Sequence, residues 1–303
     1  MDQAKRIHYN RYIKSFAAAG GEQQRHAIRG KRIRMVPVAR FALYLVIGYA
    51  VMITFVFFWQ RRLLYYPDPD LPMQSQLQTA DLRCWPGEGS ALRGYIASQS
   101  TIGSLGTVVV FHGNAGAAWN RDYYVEALEP LGYRVVLAEY PGYGGRPGHR
   151  SEKAFVADAK QTVRLARDEF GGPVFLLGES LGCGVATGVA ADPSIPVKRM
   201  ALFTPWDTLP NLAQTIYWFL PVRWLVQDKY DNVRNLRAYP GRVAVILAGQ
   251  DEIVPKRFGL NLYTSLRSDK RLWVVENARH NTWVDMVDSR WWKEVMDFLS
   301  QGG

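Results

Sequence analysis

Cysteine is scarce in this chain: Cys84 and Cys183 are the only two among 303 residues. Cys84 falls in a strand-like run and Cys183 lies three residues past Ser180 in helix-compatible sequence. No disulfide framework organises such a fold, and both read as buried thiols. Histidine is nearly as sparse, with five residues, and no group of His, Cys and Asp stands at metal-ligand spacing, so the sequence predicts neither a metal nor a cofactor. Acidic residues are almost missing from the first forty positions, where ten Lys or Arg face only Asp2 and Glu22. The formal net charge of +10 therefore belongs mainly to a tail. From residue 41 onward the balance is nearly neutral, which argues against a nucleic-acid surface on the folded part and leaves a basic segment suited to anionic lipid. Internal repeats and low-complexity stretches are also missing.

Charge is absent altogether from residues 41–59, an aromatic and aliphatic run that as a helix would span roughly 28 Å, one bilayer crossing. A buried core helix would show a polar face, and a cleaved signal peptide would lack the long tail and carry a small-residue cleavage site. The run is therefore read as an uncleaved anchor through which the chain meets a membrane. Trp59, Gln60, Arg61 and Arg62 form an expected interfacial collar, and Tyr65-Tyr66-Pro67-Asp68-Pro69 a stiff linker. The layout is a basic tail over 1–40, a membrane helix over 41–59, a linker over 60–72 and a folded domain over 73–303. Arg25, Arg29, Lys31, Arg32, Arg34 and Arg40 precede the helix, against Arg61 and Arg62 after it. That bias predicts a cytoplasmic N-terminus and an extracytoplasmic domain, on the periplasmic side in a bacterium.

The domain opens with two expected strands, near 77–84 and 92–98, around a Pro-Gly-Glu-Gly turn. Strand-like runs at 107–111, 134–139, 174–177, 199–203, 243–247 and 272–275 then alternate with helical segments. This is the pattern of an α/β fold with a doubly wound, mainly parallel sheet of about eight strands. In the helix expected over 152–170, Phe155, Ala159, Val163, Ala166 and Phe170 recur every three or four residues behind a Ser151 cap. Residues 205–240 form a short helical cap whose Ile216–Pro221 and Trp224–Val226 segments are aromatic enough either to pack on a pocket or to face something greasy.

The chemistry centres on Gly178-Glu179-Ser180-Leu181-Gly182, where an apolar strand breaks into helix-compatible sequence. A serine at such a turn projects its hydroxyl above the sheet edge while the flanking glycines admit close backbone approach. Serine is a weak nucleophile and needs a base oriented by an acid. His280, after the last strand, and Asp251, after the strand before it, are the candidates, because loops at the carboxyl ends of parallel strands converge. Glu252 and Asp207 are rival acids. For the oxyanion, the backbone N–H of Leu181 and one from Asn114 or Ala115 are the candidate donors. His112 opens that Gly-rich loop and is read as shaping it. His8, His26 and His149 have no such context.

On His112-Gly113-Asn114-Ala115-Gly116, Tyr140-Pro141-Gly142-Tyr143-Gly144, the elbow, Asp251, His280 and the N-terminal anchor, the chain resembles the α/β-hydrolase superfamily, and within it the membrane-anchored branch of Bem46 and ABHD13-type serine hydrolases. It departs from that branch in carrying Pro141 where Arg is usual and Arg146 where Ser is frequent. The resemblance implies that 73–303 is a catalytic domain. The expected activity is a serine hydrolase cleaving small acyl esters, thioesters or lipid esters through an acyl-enzyme. A peptidase on short peptides, or an inactive membrane-tethered binding protein on the same fold, are the alternatives.

Overall fold

The computed structural model describes residues 37–99, 105–195, 197 and 199–301, so the expected basic tail up to residue 36 lies outside the described residues. The chain divides into two units, one ending at Phe58 and the other beginning at Trp59. Helix α1, Pro37–Leu64, has 28 residues and a mean hydropathy of 2.3 in its most apolar window. Its length and composition suffice to cross a membrane, and it extends past the uncharged run at both ends. Apolar side chains such as Phe41, Leu45 and Phe58 are exposed along it.

The second unit is built on eight strands: β1 Leu82–Trp85, β2 Gly94–Ala97, β3 Thr107–Phe111, β4 Arg134–Ala138, β5 Val174–Glu179, β6 Arg199–Phe203, β7 Arg242–Ala248 and β8 Lys270–Val275. Their order across the sheet is β8-β7-β6-β5-β3-β4-β2-β1. β1 and β2 pair antiparallel and β2 meets β4 antiparallel, whereas every pairing from β4 to β8 is parallel. Parallel strands need crossovers, and α3 Tyr123–Leu128, α4 Glu152–Phe170, α5 Leu181–Ala190 and α9 Lys256–Ser265 serve in them; with α10 Ser289–Ser300, which follows β8, they cover both faces of the sheet. The continuous apolar strands follow from burial on both sides. Val109, Phe111, Leu176, Val243 and Val245 pack with α4, α5 and α9, while Val108, Val110, Leu177, Ala244 and Ile246 pack with α3 and α10. β3 lies between β4 and β5, so the strand order reverses there, and the loops after β3 and β5 open side by side at the carboxyl edge.

One local expectation shifts. The strand expected near 77–84 starts later, as β1 at Leu82, because residues 77–79 close helix α2, Gln74–Thr79, from which Leu77 is buried. Within the expected linker, Tyr65 packs into the domain while Tyr66 and Pro69 are exposed. Tyr65 is only 2 % exposed, and Tyr66–Pro67 pair in parallel with Ala115–Gly116. Cys84 is half-buried and Cys183 buried, both free. The helix expected over 152–170 is α4 with those bounds, and Ser151 accepts the Ala154 N–H at 3.2 Å as its cap.

Between β6 and β7 lies the cap, α6 Leu209–Ile216, α7 Val222–Leu225 and α8 Asn232–Leu236. Buried Asn232 ties it down, donating to the Trp206 carbonyl at 2.8 Å and accepting from Thr187 of α5 at 2.6 Å.

Candidate active site

Ser180 occupies the turn between β5 and α5 at φ 52°, ψ −112°. A non-glycine residue there is strained, and its neighbours enforce it. The Ser180 N–H donates to the Phe203 carbonyl at 2.9 Å and its carbonyl accepts from Cys183 N–H at 3.0 Å. Gly182 is required at its place, since a Cβ would lie 1.9 Å from the Phe111 carbonyl oxygen. The result is a hydroxyl fixed at the carboxyl edge, between the β3 loop and the β6 end.

Two other strand ends supply its partners. The loops after β7 and β8 are knit together by Gly249 N–H to the Val275 carbonyl at 2.9 Å and Gln250 N–H to the Ala278 carbonyl at 2.8 Å. Asp251 Oδ1 accepts the N–H groups of Ile253 at 3.0 Å and Val254 at 2.7 Å, which aims Oδ2 at His280 Nδ1, 2.8 Å away. His280 Nε2 lies 2.9 Å from Ser180 Oγ. Both side chains of the His280–Asp251 pair are sheltered, 6 % and 2 % exposed, so water competes little for these bonds. With Asp251 accepting at Nδ1, the imidazole is oriented to accept the serine proton at Nε2. Behind the His280 loop, buried Trp283 stacks on Phe203 with ring centroids 4.4 Å apart.

The rival acids stand elsewhere. Asp207 is buried but accepts from Thr208 N–H at 2.5 Å and from the amides of Asn211 and Asn261 at 3.2 and 3.3 Å. Glu252 accepts the backbone N–H of His280 at 3.4 Å, while the His280 ring faces Asp251. His112 is engaged by its own loop, with Nδ1 2.8 Å from the Gly113 carbonyl and Nε2 3.1 Å from buried Glu139.

Leu181 begins α5, where the first backbone N–H groups have no intrahelical acceptor, and it is buried beside Ser180. Gly113 brings the β3 loop close: a Cβ on it would sit 3.7 Å from Ser180 Cβ. Asn114 is anchored by its side-chain amide, which donates to the Leu64 carbonyl at 2.9 Å, and by its carbonyl, which accepts from Tyr143 Oη at 2.8 Å. Ala115 is held by pairing with Tyr66. The Tyr-Pro-Gly-Tyr segment thus braces the β3 loop through Tyr140 and Tyr143. Arg146, within the segment that departs from the branch pattern, binds Asp158 through both guanidinium nitrogens at 2.9 Å and also reaches the Glu139 carbonyl.

One group of residues was not singled out in sequence. Glu179, directly before Ser180, accepts from Tyr123 Oη at 2.6 Å, Tyr124 Oη at 3.1 Å and Arg121 Nε at 3.3 Å. Burial alone would raise the Glu179 carboxyl, but the Arg121 guanidinium and the two hydroxyls hold it below its ordinary value. Arg121 also donates to the Ala115 carbonyl at 3.3 Å, joining the elbow to the β3 loop. An acid inside the elbow motif was the available signal. Among the described residues, no group of His, Cys, Asp and Glu is arranged to hold a metal ion.

Comparison with known proteins agrees with this architecture. Residues 104–235 match the family model described as serine aminopeptidase, S33. The uncharacterized protein MT2364 of Mycobacterium tuberculosis is 33 % identical over 270 residues, covering 86 % of this chain and 92 % of that protein. The lysophosphatidylserine lipase ABHD12 of Gallus gallus is 30 % identical over 186 residues, 54 % of this chain and 49 % of its own length, so only about half of it is spanned. Among solved structures, the Pyrococcus furiosus esterase Pf2001 superposes with a TM-score of 0.61 at 18 % identity, covering 78 % of this chain and 97 % of that one. By sheet order, strained elbow and these relatives, the chain belongs to the α/β-hydrolase superfamily.

Proposed function

We propose that this chain is a membrane-anchored serine hydrolase that cleaves carboxylic ester or thioester bonds through an acyl-enzyme. The observation that carries the reading is the relay of Asp251, His280 and Ser180, joined at 2.8 and 2.9 Å. Ser180 Oγ attacks the acyl carbon as His280 Nε2 takes the hydroxyl proton, and Asp251 stabilises the resulting imidazolium. The negative charge gathers on the former carbonyl oxygen. The backbone N–H of Leu181 and one from Asn114 or Ala115 are assigned to hold it. Collapse expels the alcohol or thiol, which takes the proton from His280. Water then repeats the sequence on the acyl-serine, with His280 again as base, releasing the acid.

The anchor is assigned to residues 41–59, supported by the uncharged run and the length of α1. A second reading, hydrolysis of short peptides, is favoured by one observation, the match of residues 104–235 to a serine aminopeptidase family. The full chain purified in detergent should be assayed against a chain-length series of acyl esters and thioesters and against aminoacyl arylamides. Turnover of the esters or thioesters supports the first reading. Turnover confined to the arylamides supports the second.

A further inference from the structure

The cap carries apolar side chains that the folded domain does not cover. At the end of α6 and along α7, Ile216 is 53 %, Tyr217 42 %, Trp218 78 %, Phe219 47 % and Trp224 87 % exposed. A cluster of this kind is far larger than scattered surface hydrophobics require. It is also a built feature. The Gln214 amide donates to the carbonyls of Tyr217, Trp218 and Leu220 at 3.4, 3.4 and 2.9 Å. The Leu220 N–H bonds the Tyr217 carbonyl and the Trp224 N–H the Pro221 carbonyl. The turn therefore satisfies much of its own backbone, as a segment entering a water-poor environment must.

Its position names the environment. Gln60, the residue after the uncharged run, donates to the Leu225 carbonyl at 3.2 Å and accepts from Gln227 N–H at 2.9 Å. The next residue, Arg61, pairs with Asp228 at 3.1 Å. Residues 225–228 thus lie where the apolar helix gives way to polar sequence, one residue from Trp224. Arg62, set over the Trp59 ring at 5.8 Å, and exposed Arg223, the residue before Trp224, add positive charge to the two segments that these bonds join. Aromatics backed by arginine at a helix exit match the interfacial layer of a phospholipid bilayer.

We propose that the cap surface formed by Ile216–Phe219 and Trp224 inserts into the headgroup layer of the leaflet from which α1 emerges, with anionic phospholipid as its ligand. The inference rests on the reading of residues 41–59 as a membrane span. It gives the domain a second contact with the bilayer and makes acyl lipids of that leaflet the substrates nearest at hand.

The test uses the full chain in nanodiscs of phosphatidylcholine and phosphatidylglycerol, in a Cys84→Ser background, with an environment-sensitive fluorophore on Trp218→Cys, Trp224→Cys or, as a control on the exposed start of α10, Arg290→Cys. Nitroxide-bearing lipid should quench the fluorophore at 218 and 224 at least threefold more than at 290. Trp218→Ser with Trp224→Ser should lower turnover of a vesicle-embedded acyl ester about tenfold while leaving a water-soluble short-chain ester unaffected. Equal quenching at all three sites, in a chain that resists carbonate extraction, would overturn the docking alone. Shielding of 218 and 224 in detergent without lipid quenching would also overturn it and point to a protein partner or second copy. Release of the chain by carbonate would instead remove the anchor reading, and the docking with it.

Discussion

The phenolic hydroxyl of Tyr123 donates to Glu179 Oε2 at 2.6 Å, one residue before the elbow serine. Arg121 binds the other oxygen of the same carboxylate and the carbonyl of Ala115. The elbow and the β3 loop, to which the proposed function assigns the oxyanion, are therefore tied through one buried acid. Arg121→Met should lower kcat about tenfold or more with little change in KM, because it loosens geometry needed in the transition state. Arg121→Lys should recover part of the loss. A change in KM alone would contradict the assignment.

The same carboxylate sets a pH dependence. Burial opposes its ionisation, yet Arg121 and the tyrosine hydroxyls hold it below the ordinary 4.5. A group whose folded pKa is depressed adds stability above its unfolded value and loses it as pH falls through the folded one. Acidification below about pH 4.5 should therefore destabilise the parent more steeply than Glu179→Gln, read by thermal unfolding midpoints. Parallel profiles would count against the brace.

Asp251→Asn should cost about 10³-fold or more in kcat/KM, since an amide cannot orient and stabilise the imidazolium as the carboxylate does. Asp207→Asn, whose carboxylate faces Thr208, Asn211 and Asn261, should cost far less. The reverse order would place the acid after β6.

Elements governed by local pattern could be read from the chain. The 3.6-residue spacing of Phe155 to Phe170 and the apolar strands with their turn signals led to α4 and the parallel sheet, and strand-end positions led to Ser180, Asp251 and His280, whose side chains lie within hydrogen-bond distance of one another in the order Ser180–His280–Asp251. Features set by distant partners could not. Tyr65 reads as linker beside its proline, yet its hydroxyl bonds Asp228 and Tyr230, 163 and 165 positions away. Residues 77–84 carry an apolar pattern too short to separate a two-turn helix from a strand.

Asp228 is a test of that distant packing. Buried, it accepts from Tyr65 Oη at 3.0 Å, Arg61 Nε at 3.1 Å and Glu152 N–H at 3.1 Å. Asp228→Ala leaves the Glu152 N–H of α4 unpaired and reduces the buried Tyr65 hydroxyl to its Tyr230 contact, and should cost about 1–3 kcal/mol of stability. An unchanged unfolding midpoint would show that Arg61 and Tyr65 are not latched to the cap through Asp228.

The charge bias around residues 41–59 predicts a domain outside the cytoplasm. Fusions to the C-terminus in a bacterial host check this. An active alkaline phosphatase fusion with a dark cytosol-only fluorescent fusion is expected, and the opposite pair would reverse the orientation.

The central claim is that Ser180 is a nucleophile activated by His280. The most direct measurement is covalent labelling of the full chain by a fluorophosphonate probe, followed by mapping of the modified residue. The parent should label at Ser180, and Ser180→Ala should remain folded, take up no label and lose ester turnover by about 10⁴-fold or more. Labelling that persists in Ser180→Ala, or a parent that hydrolyses esters while never forming the adduct, would contradict the account.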